Sequence, residues 1–485
     1  MKKVFTLLTA PLAIASMTAT ESRPNILIIQ CDHLAQRALS TYGGNWGCAS
    51  VIDSIASQGV AFANAYVGCP LSQPSRAALW TGLMPHQNQV RSNSFLDSYP
   101  TISKSTATLG ELFSNNGYVA AHFGKTHDRE ALRGFVHKEP VAESFIDPYF
   151  PVNGDSFRDV GTCKDVVGFL RNDSLDKPFI CVADFENPHN ICGFVGANEG
   201  EHIDKPIPFE LPSLPDNFEV TDWDNLPPSI QYMCCIHRRM TQAAHWNETN
   251  YRYYIAAYQY YTRMVCKQIE QVMAALQASG KADNTIVVVL ADHGDGLASH
   301  RMVTKFISFY DEMTNVPFII AGKGIKRNEQ PLKNLLVSPT LDLLPTLCDI
   351  AGIDVPSDKK GISLLPVLKG EKNKNTHPYV VSEWHSSRDL SITPGRMIRS
   401  KQYKYTHYLE KNAEELYDLL NDPGEKHNLA KDKAYNKVLK EHRSLLADYI
   451  KKTNDDYFSL EVKVDPKYRN HQPGYSHHMG EGSKE

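Results

Sequence analysis

No run in this 485-residue chain reaches the roughly 18 consecutive apolar residues of a membrane-spanning helix. Positive charge is not in excess either: 51 Lys and Arg stand against 55 Asp and Glu, a formal net charge of −4. No broad basic surface therefore speaks for nucleic acid as a partner, and any anion must be held by individually placed residues. The 10 cysteines lack the paired C-x-x-C spacing of a zinc site. Cys31 and Cys181 fall in apolar, strand-like runs, which suits buried thiols. Spacing alone assigns no disulfide. No G-x-S-x-G elbow surrounds Ser72, so a serine-hydrolase triad has no support, and no internal repeat is present.

What is present begins with an export pattern. Lys2 and Lys3 precede the short apolar stretch Val4–Ala15, and Ala13-Ile14-Ala15 or Ala19 offers a small-residue cleavage site. Residues 1–19 are therefore expected to be a signal peptide, and the mature protein to be exported. Continuous apolar runs of strand length follow at Asn25–Gln30, Tyr118–Phe123, Pro178–Ala183, Thr285–Leu290, Val316–Ala321 and Tyr379–Glu383. Helical patterns lie between them at Val51–Gln58, Thr108–Asn115, Cys163–Leu170, Tyr253–Leu276 and Pro339–Ala351. This alternation predicts a doubly wound α/β sheet. In such sheets ligands bind beyond the carboxyl ends of the strands. Asp32-His33, Lys125-Thr126-His127, Asp184 with Asn187-Pro188-His189, and Asp292-His293 all follow strand runs, so four strand ends are expected to converge on one site. His122, by alternation, faces away from it.

The segment Phe185–Thr249 is rich in Pro, Asp, Glu and Asn, and reads as a long excursion on the substrate-facing rim. The tyrosines of Tyr253–Leu276 read as packing. A second unit is expected over 371–485, after a catalytic domain over 20–370. Arg396–Tyr408 alternates like one antiparallel strand, Glu415–Ala430 reads as strand, Asn-Asp-Pro-Gly turn and a short segment, and Lys437–Lys451 is an amphipathic helix. Phe458–Glu485 is either a disordered tail or a strap.

The stretch Cys69–Gly82, C-P-L-S-Q-P-S-R-A-A-L-W-T-G, carries the most chemistry. Pro74 suits a first helical turn, Ser75 supports it by a local bond, and Thr81-Gly82 ends the helix. Ser72 is thus expected in the mouth of a helix N-terminus, where backbone N–H groups attract an anion, with Arg76 one turn on beside that anion. Asp32 and Asp292, two carboxylates at strand ends, suit a hard cation on oxygen ligands, Ca²⁺ ahead of Mg²⁺.

Ser72–Gly82 resembles the signature C/S-x-P-S-R-x-x-L-x-T-G of the formylglycine-dependent sulfatases. The resemblance implies an alkaline-phosphatase-like mixed sheet flanked by helices, with a smaller C-terminal α+β subdomain built on an antiparallel sheet. It also implies that Ser72 is oxidised to formylglycine. One hydroxyl of the hydrated aldehyde would attack sulfur, and the second would release sulfate. R-P-N-I-L-I-I-Q-C-D-H-L resembles the first metal segment, with Asp32 as a ligand; the family usually has an acid or amide where this chain has His33, which leaves the role of His33 and the identity of the metal open. A-D-H-G-D-G-L-A-S-H resembles the second, with Asp292 and His293 as ligands. Ser72, once modified, joins them.

G-K-T-H resembles the family's G-K-x-H, implying that Lys125 contacts sulfate and His127 is the base. N-P-H implies that His189 donates to the ester oxygen, and R-M-V-T-K offers Lys305 as a second sulfate lysine. E-L-Y-D-L-L-N-D-P-G-E-K-H-N-L-A resembles the C-terminal hallmark. Serine at the modified position resembles bacterial members matured by a serine-type enzyme, hence a periplasmic expectation. The implied partner is a sulfated saccharide. His300 is a substrate-side candidate. Trp384, His385 and Arg388, just past the Tyr379–Glu383 strand, are expected to face the cleft or to pack between the two units. Two other readings remain: a phosphonate or phosphodiester hydrolase with the same formylglycine and metal, and a protein with unmodified Ser72 that only binds sulfated glycans.

Overall fold

A computed structural model of the chain describes residues 23–460, apart from 95–97, 145–155, 201–209, 220–225, 228, 232–236, 306–307, 373–375, 386–392 and 411–412. The expected leader 1–19, the tail beyond 460 and Arg388 lie outside the described residues.

Asn-Ile-Leu-Ile-Ile-Gln-Cys forms β1 (Asn25–Cys31), buried at every position. A strand covered on both faces has no wet side, so its sequence shows no polar alternation. Leu27, Ile29 and Cys31 enter the core on one face, and Ile26 and Ile28 enter the core on the other. Each such side chain contributes roughly 1.5–3 kcal/mol by leaving water. The main sheet also contains β2 (Gly59–Ala65), β3 (Val119–Gly124), β4 (Val136–Lys138), β5 (Phe179–Phe185), β6 (Thr285–Ala291), β7 (Phe318–Gly322) and β8 (Leu332–Val337), in the order β8-β2-β7-β6-β1-β5-β3-β4. β1 lies parallel between β5 and β6, while β7 runs antiparallel to both its neighbours. The parallel centre brings the ends of β1, β3, β5 and β6 out on one edge, which is where the site forms.

The predicted helices form α1 (Ser50–Ala56), α2 (Ser72–Thr81), α3 (Leu109–Asn115), α4 (Asp159–Leu170), α5 (Glu248–Ala278) and α6 (Pro339–Ala351). Their ends follow local chemistry. Thr108 accepts from the Glu111 N–H at the start of α3, Asn247 caps α5 in the same way, and Gly82 ends α2 at φ +64°. α5 packs on one face of the sheet, α2 and α6 on the other.

Three sheet strands have no counterpart in the predicted set, one of them β4, only three residues long. β2 reads Gly-Val-Ala-Phe-Ala-Asn-Ala, too small and mixed to stand out as an apolar run. Its Gly59 is required by closeness: a Cβ there would lie 2.2 Å from the Ile320 carbonyl oxygen of β7. β8 has an exposed start, so its apolar signal is short.

The second sheet is antiparallel, in the order β9 (Tyr379–Trp384), β10 (Gly395–Ser400), β11 (Tyr403–Tyr408), β12 (Glu414–Asp418). Arg396–Tyr408, predicted as one strand, is a hairpin turning at Lys401-Gln402. Neither glycine nor proline punctuates that turn, so the sequence reads straight through it. α7 (Asn436–Thr453) covers this sheet with Leu439, Leu446 and Ile450 against Ile398, Tyr405 and Leu416. The two sheets are tied by Lys404, which donates to Asp311 at 2.7 Å, and by Arg399, which donates to the Tyr66 hydroxyl at 2.9 Å.

Candidate active site

Ser72 opens α2, following Leu71 in extended backbone. The helix mouth is pinned from two directions: the Ser75 hydroxyl donates to the Asp292 carbonyl at 2.5 Å, and the Gln73 N–H donates to Asn93 Oδ1 at 2.9 Å. Ser72 Oγ then lies 2.9 Å from His293 Nε2 and 3.1 Å from the Lys305 ammonium. β3 delivers Lys125 through Gly124, at φ +115°, where a Cβ would come within 2.0 Å of the Asp184 carbonyl oxygen. That close approach lets the Lys125 N–H donate to the same oxygen at 3.0 Å.

Asp32, His33, Asp292 and His293, at the ends of β1 and β6, are all fully buried. Among the described residues Asp32 Oδ1 has no hydrogen-bond partner, and it lies 3.6 Å from His293 Nε2 and 3.8 Å from His33 Nε2. A buried carboxylate oxygen left unmatched is costly unless a cation meets it. Asp32, His33 and His293, with ligand atoms within 4.8 Å of one another, therefore fit a divalent metal. The carboxylates expected to make an oxygen site are joined by two imidazoles, so the donor set is mixed.

Arg76, expected beside the transferring anion, is 1% exposed. Its guanidinium donates to Asp184 at 2.6 Å and Asp292 at 2.8 Å, and lies 3.5 Å from Asp32. It sits under the Asp32, Asp184 and Asp292 carboxylates as a clamp. His122 belongs to the same buried layer, with Nε2 3.2 Å from Asp184 Oδ2, in keeping with its place off the cleft.

The cleft above has a volume of about 820 Å³. Ser72, Lys125, His127, His189 and Lys305 all line it, and the excursion after β5 contributes His237, Arg238 and Arg239. Lys125 also pairs with Asp32. Burial alone would raise the Asp32 carboxyl, but Lys125 foremost, with His189 and Arg76, holds it well below the usual range. Burial, reinforced by Lys125 and Lys305, keeps His189 well below the ordinary imidazole value. The same causes push His127 down to about 3.

A lowered imidazole pKa means that the proton-accepting form is present at every pH above that value. His127 is thus a neutral base throughout the physiological range, and the kcat/KM profile should show no His127 inflection between about pH 5 and 7. An acid limb centred on the ordinary imidazole value, abolished in His127→Asn, would contradict this.

Three expected substrate contacts lie elsewhere. Trp384 is buried at 2% exposure in the main core, and His385 is buried between Glu383 and Arg396, at 3.2 Å from each. The rule that strand ends open onto the cleft holds for the parallel sheet, and β9 belongs to the antiparallel one. His300 is stacked on Tyr310 at 4.2 Å between ring centroids and also does not line the cleft.

Two carboxylates of the site were given no role from the sequence, although Asp184 was placed at one of the converging strand ends. Asp184 ends a strand run, and its role shows only through Arg76. Asp295, two residues past His293, lies 3.0 Å from His33 Nδ1. Its A-D-H-G-D spacing was the available signal.

The family model described as Sulfatase matches residues 24–353, and one described as N-sulphoglucosamine sulphohydrolase, C-terminal, matches 299–452. A Bacteroides thetaiotaomicron protein named Delta 4,5-hexuronate-2-O-sulfatase is 64% identical over 465 residues, 96% of each chain. A solved structure described as a 2-O GAG sulfatase superposes with a TM-score of 0.91 at 64% identity, over 94% of this chain and 97% of that one. The phosphonate monoester hydrolase of Agrobacterium radiobacter superposes with a TM-score of 0.73 at 20% identity, over 90% of this chain and 97% of its own, a likeness of fold.

Proposed function

This chain belongs to the sulfatase family of the alkaline phosphatase superfamily and is a sulfuric ester hydrolase, and from that premise we propose that it removes the 2-O-sulfate of a hexuronate in a sulfated glycan. The observation that carries this reading is the floor of the cleft, where the Ser72 hydroxyl stands within reach of both His293 and Lys305. The relative named for hexuronate 2-O-sulfate supports the choice of sugar and position.

The roles of the residues follow from charge and reach. Lys125 and Lys305 bind the peripheral oxygens of the sulfate, where negative charge builds in the transition state. His127, neutral and lining the same cleft, holds a lone pair ready for a proton from residue 72. His189 is also neutral, so it assists the leaving oxygen as an N–H donor. Arg76 keeps the Asp32 and Asp292 carboxylates in place from below. When bound, a divalent metal supplies positive charge that favours a deprotonated nucleophile. Oxidation of Ser72 to formylglycine supplies, as its hydrate, two hydroxyls where serine has one. Maturation is assigned to a serine-type enzyme because position 72 is serine, and the site of action to the periplasm on that serine together with the export pattern of residues 1–19.

A uronate adds a carboxylate to the substrate, and exposed Arg238 on the cleft rim suits it. The test is a panel of defined 2-O- and 6-O-sulfated saccharides with a phosphate ester control. Release from the 2-O-sulfated uronate should dominate, and Arg238→Ala should raise its KM while leaving a small aryl sulfate unaffected. Preference for the phosphate ester would sink the reading.

A further inference from the structure

We propose that the metal centre is a three-ligand site of Asp32, His33 and His293, built for a borderline transition ion such as Zn²⁺ in preference to Ca²⁺. The proposal rests on the metal-dependent sulfatase reading and adds the choice of ion, which the ring orientations decide.

Each imidazole has one nitrogen committed to an acceptor behind it. His293 Nδ1 lies 2.8 Å from the Gly294 carbonyl, which can only accept, so Nδ1 carries the hydrogen and Nε2 the lone pair. His33 Nδ1 lies 3.0 Å from Asp295 Oδ2. The other oxygen of Asp295 is occupied by the Tyr254 hydroxyl and, at 3.0 Å, by the Leu297 N–H. The Lys305 ammonium, which can only donate, approaches His33 Nε2 at 3.1 Å, so that nitrogen is the acceptor. The Tyr258 hydroxyl holds the His33 carbonyl at 2.7 Å. A carboxylate or carbonyl behind each ring is the arrangement that aims a histidine at a transition metal.

The two Nε2 lone pairs meet the unpartnered Asp32 Oδ1. Asp292 Oδ1 also comes within 3.9 Å of His293 Nε2, but unlike Asp32 Oδ1 it is already engaged: it accepts the backbone N–H of His293 at 3.0 Å and of His33 at 3.4 Å, while Oδ2 accepts from Arg76. Ca²⁺ asks for roughly 6–8 oxygens, and nitrogen is a poor substitute. Two imidazoles and one carboxylate match instead the three protein ligands of a catalytic zinc-type site with its fourth position left for the reacting group. Ser72 Oγ, 2.9 Å from His293 Nε2, is the neighbouring side chain that would supply that reacting group.

The test uses the full chain, stripped with a chelator and titrated separately with Zn²⁺, Ca²⁺ and Co²⁺. Zn²⁺ should bind more tightly than Ca²⁺ by on the order of 100-fold. Co²⁺ should give the intense visible absorption of a four- or five-coordinate nitrogen site. Asp295→Asn should weaken Zn²⁺ by ~10–100-fold, because Asp295 acts on the metal only through His33. Ca²⁺ binding as tight as Zn²⁺, a weak octahedral Co²⁺ spectrum, or unchanged Zn²⁺ affinity in a folded Asp295→Asn protein would each overturn the proposal. If that variant does not fold, the wild-type affinities and the Co²⁺ spectrum decide between the ions. Metal affinity is read without turnover, so tight Zn²⁺ binding by protein whose residue 72 is shown by mass to be converted, with no release from the 2-O-sulfated uronate, supports this inference and removes the proposed substrate instead.

Discussion

A Ser72→Ala protein is expected to fold normally and to lose turnover by on the order of 10⁴-fold or more, as for removal of a nucleophile. The fold tolerates the change because, among the described residues, the Ser72 Oγ side-chain hydrogen bonds go to His293 and Lys305, and each of these has another partner. Losing such a hydrogen bond costs about 0.5–1.5 kcal/mol. Chemistry does not tolerate it. Neither Gln73 nor Pro74 can activate an alcohol, and a plain serine that accepted sulfate would have no second hydroxyl to expel it. The active protein should therefore carry a residue 72 lighter than serine by ~2 Da, the mass of two hydrogens. Protein made in a host without serine-type maturation should be unmodified and inactive. Ser72→Cys, made where cysteine in this motif is converted, should recover both aldehyde and activity. Full turnover by protein shown by mass to hold only serine would refute the mechanism.

Arg76 should matter for stability as much as for rate. Its guanidinium, at 1% exposure, faces Asp184, Asp292 and Asp32 together. Arg76→Met would leave three carboxylates buried around an apolar chain, and removing one partner of a buried ionic cluster costs about 3–5 kcal/mol. Urea unfolding of metal-free wild type and variant, compared at neutral pH, measures the loss directly. Arg76→Lys should recover part of it, since an ammonium supplies the charge but not the planar set of donors. A loss under about 1 kcal/mol for Arg76→Met, the size of an ordinary surface change, would mean that the clamp is not needed.

Much of the site was legible because its residues sit next to strong local signals. Asp32 follows an unbroken apolar strand, Lys125 and His127 follow another, and Pro74 and Gly82 bracket the helix that starts at Ser72. Weak local signals produced the gaps. β2 is built of small residues whose fit depends on the backbone of β7, and the turn at Lys401-Gln402 has no glycine or proline to mark it. Trp384 and His385 were expected either in the cleft or packed between the two units, and His300 on the substrate side; their burial follows from which sheet and which aromatic ring they meet.

The sequence alone established the strand-and-helix alternation, the placing of Ser72 at a helix mouth, and the set of strand ends that carry Asp, His and Lys. Those features depend on residues within a few positions of one another, where backbone preference and side-chain periodicity act. The aim of the side chains came from tertiary structure. Arg76 turns down because Asp184 and Asp292 arrive beneath it from 108 and 216 residues away. His33 presents its Nε2 because Asp295, 262 residues on, takes its Nδ1. Charge and hydrogen-bond direction at a buried atom are set by whatever the fold brings to it, and no local pattern encodes that.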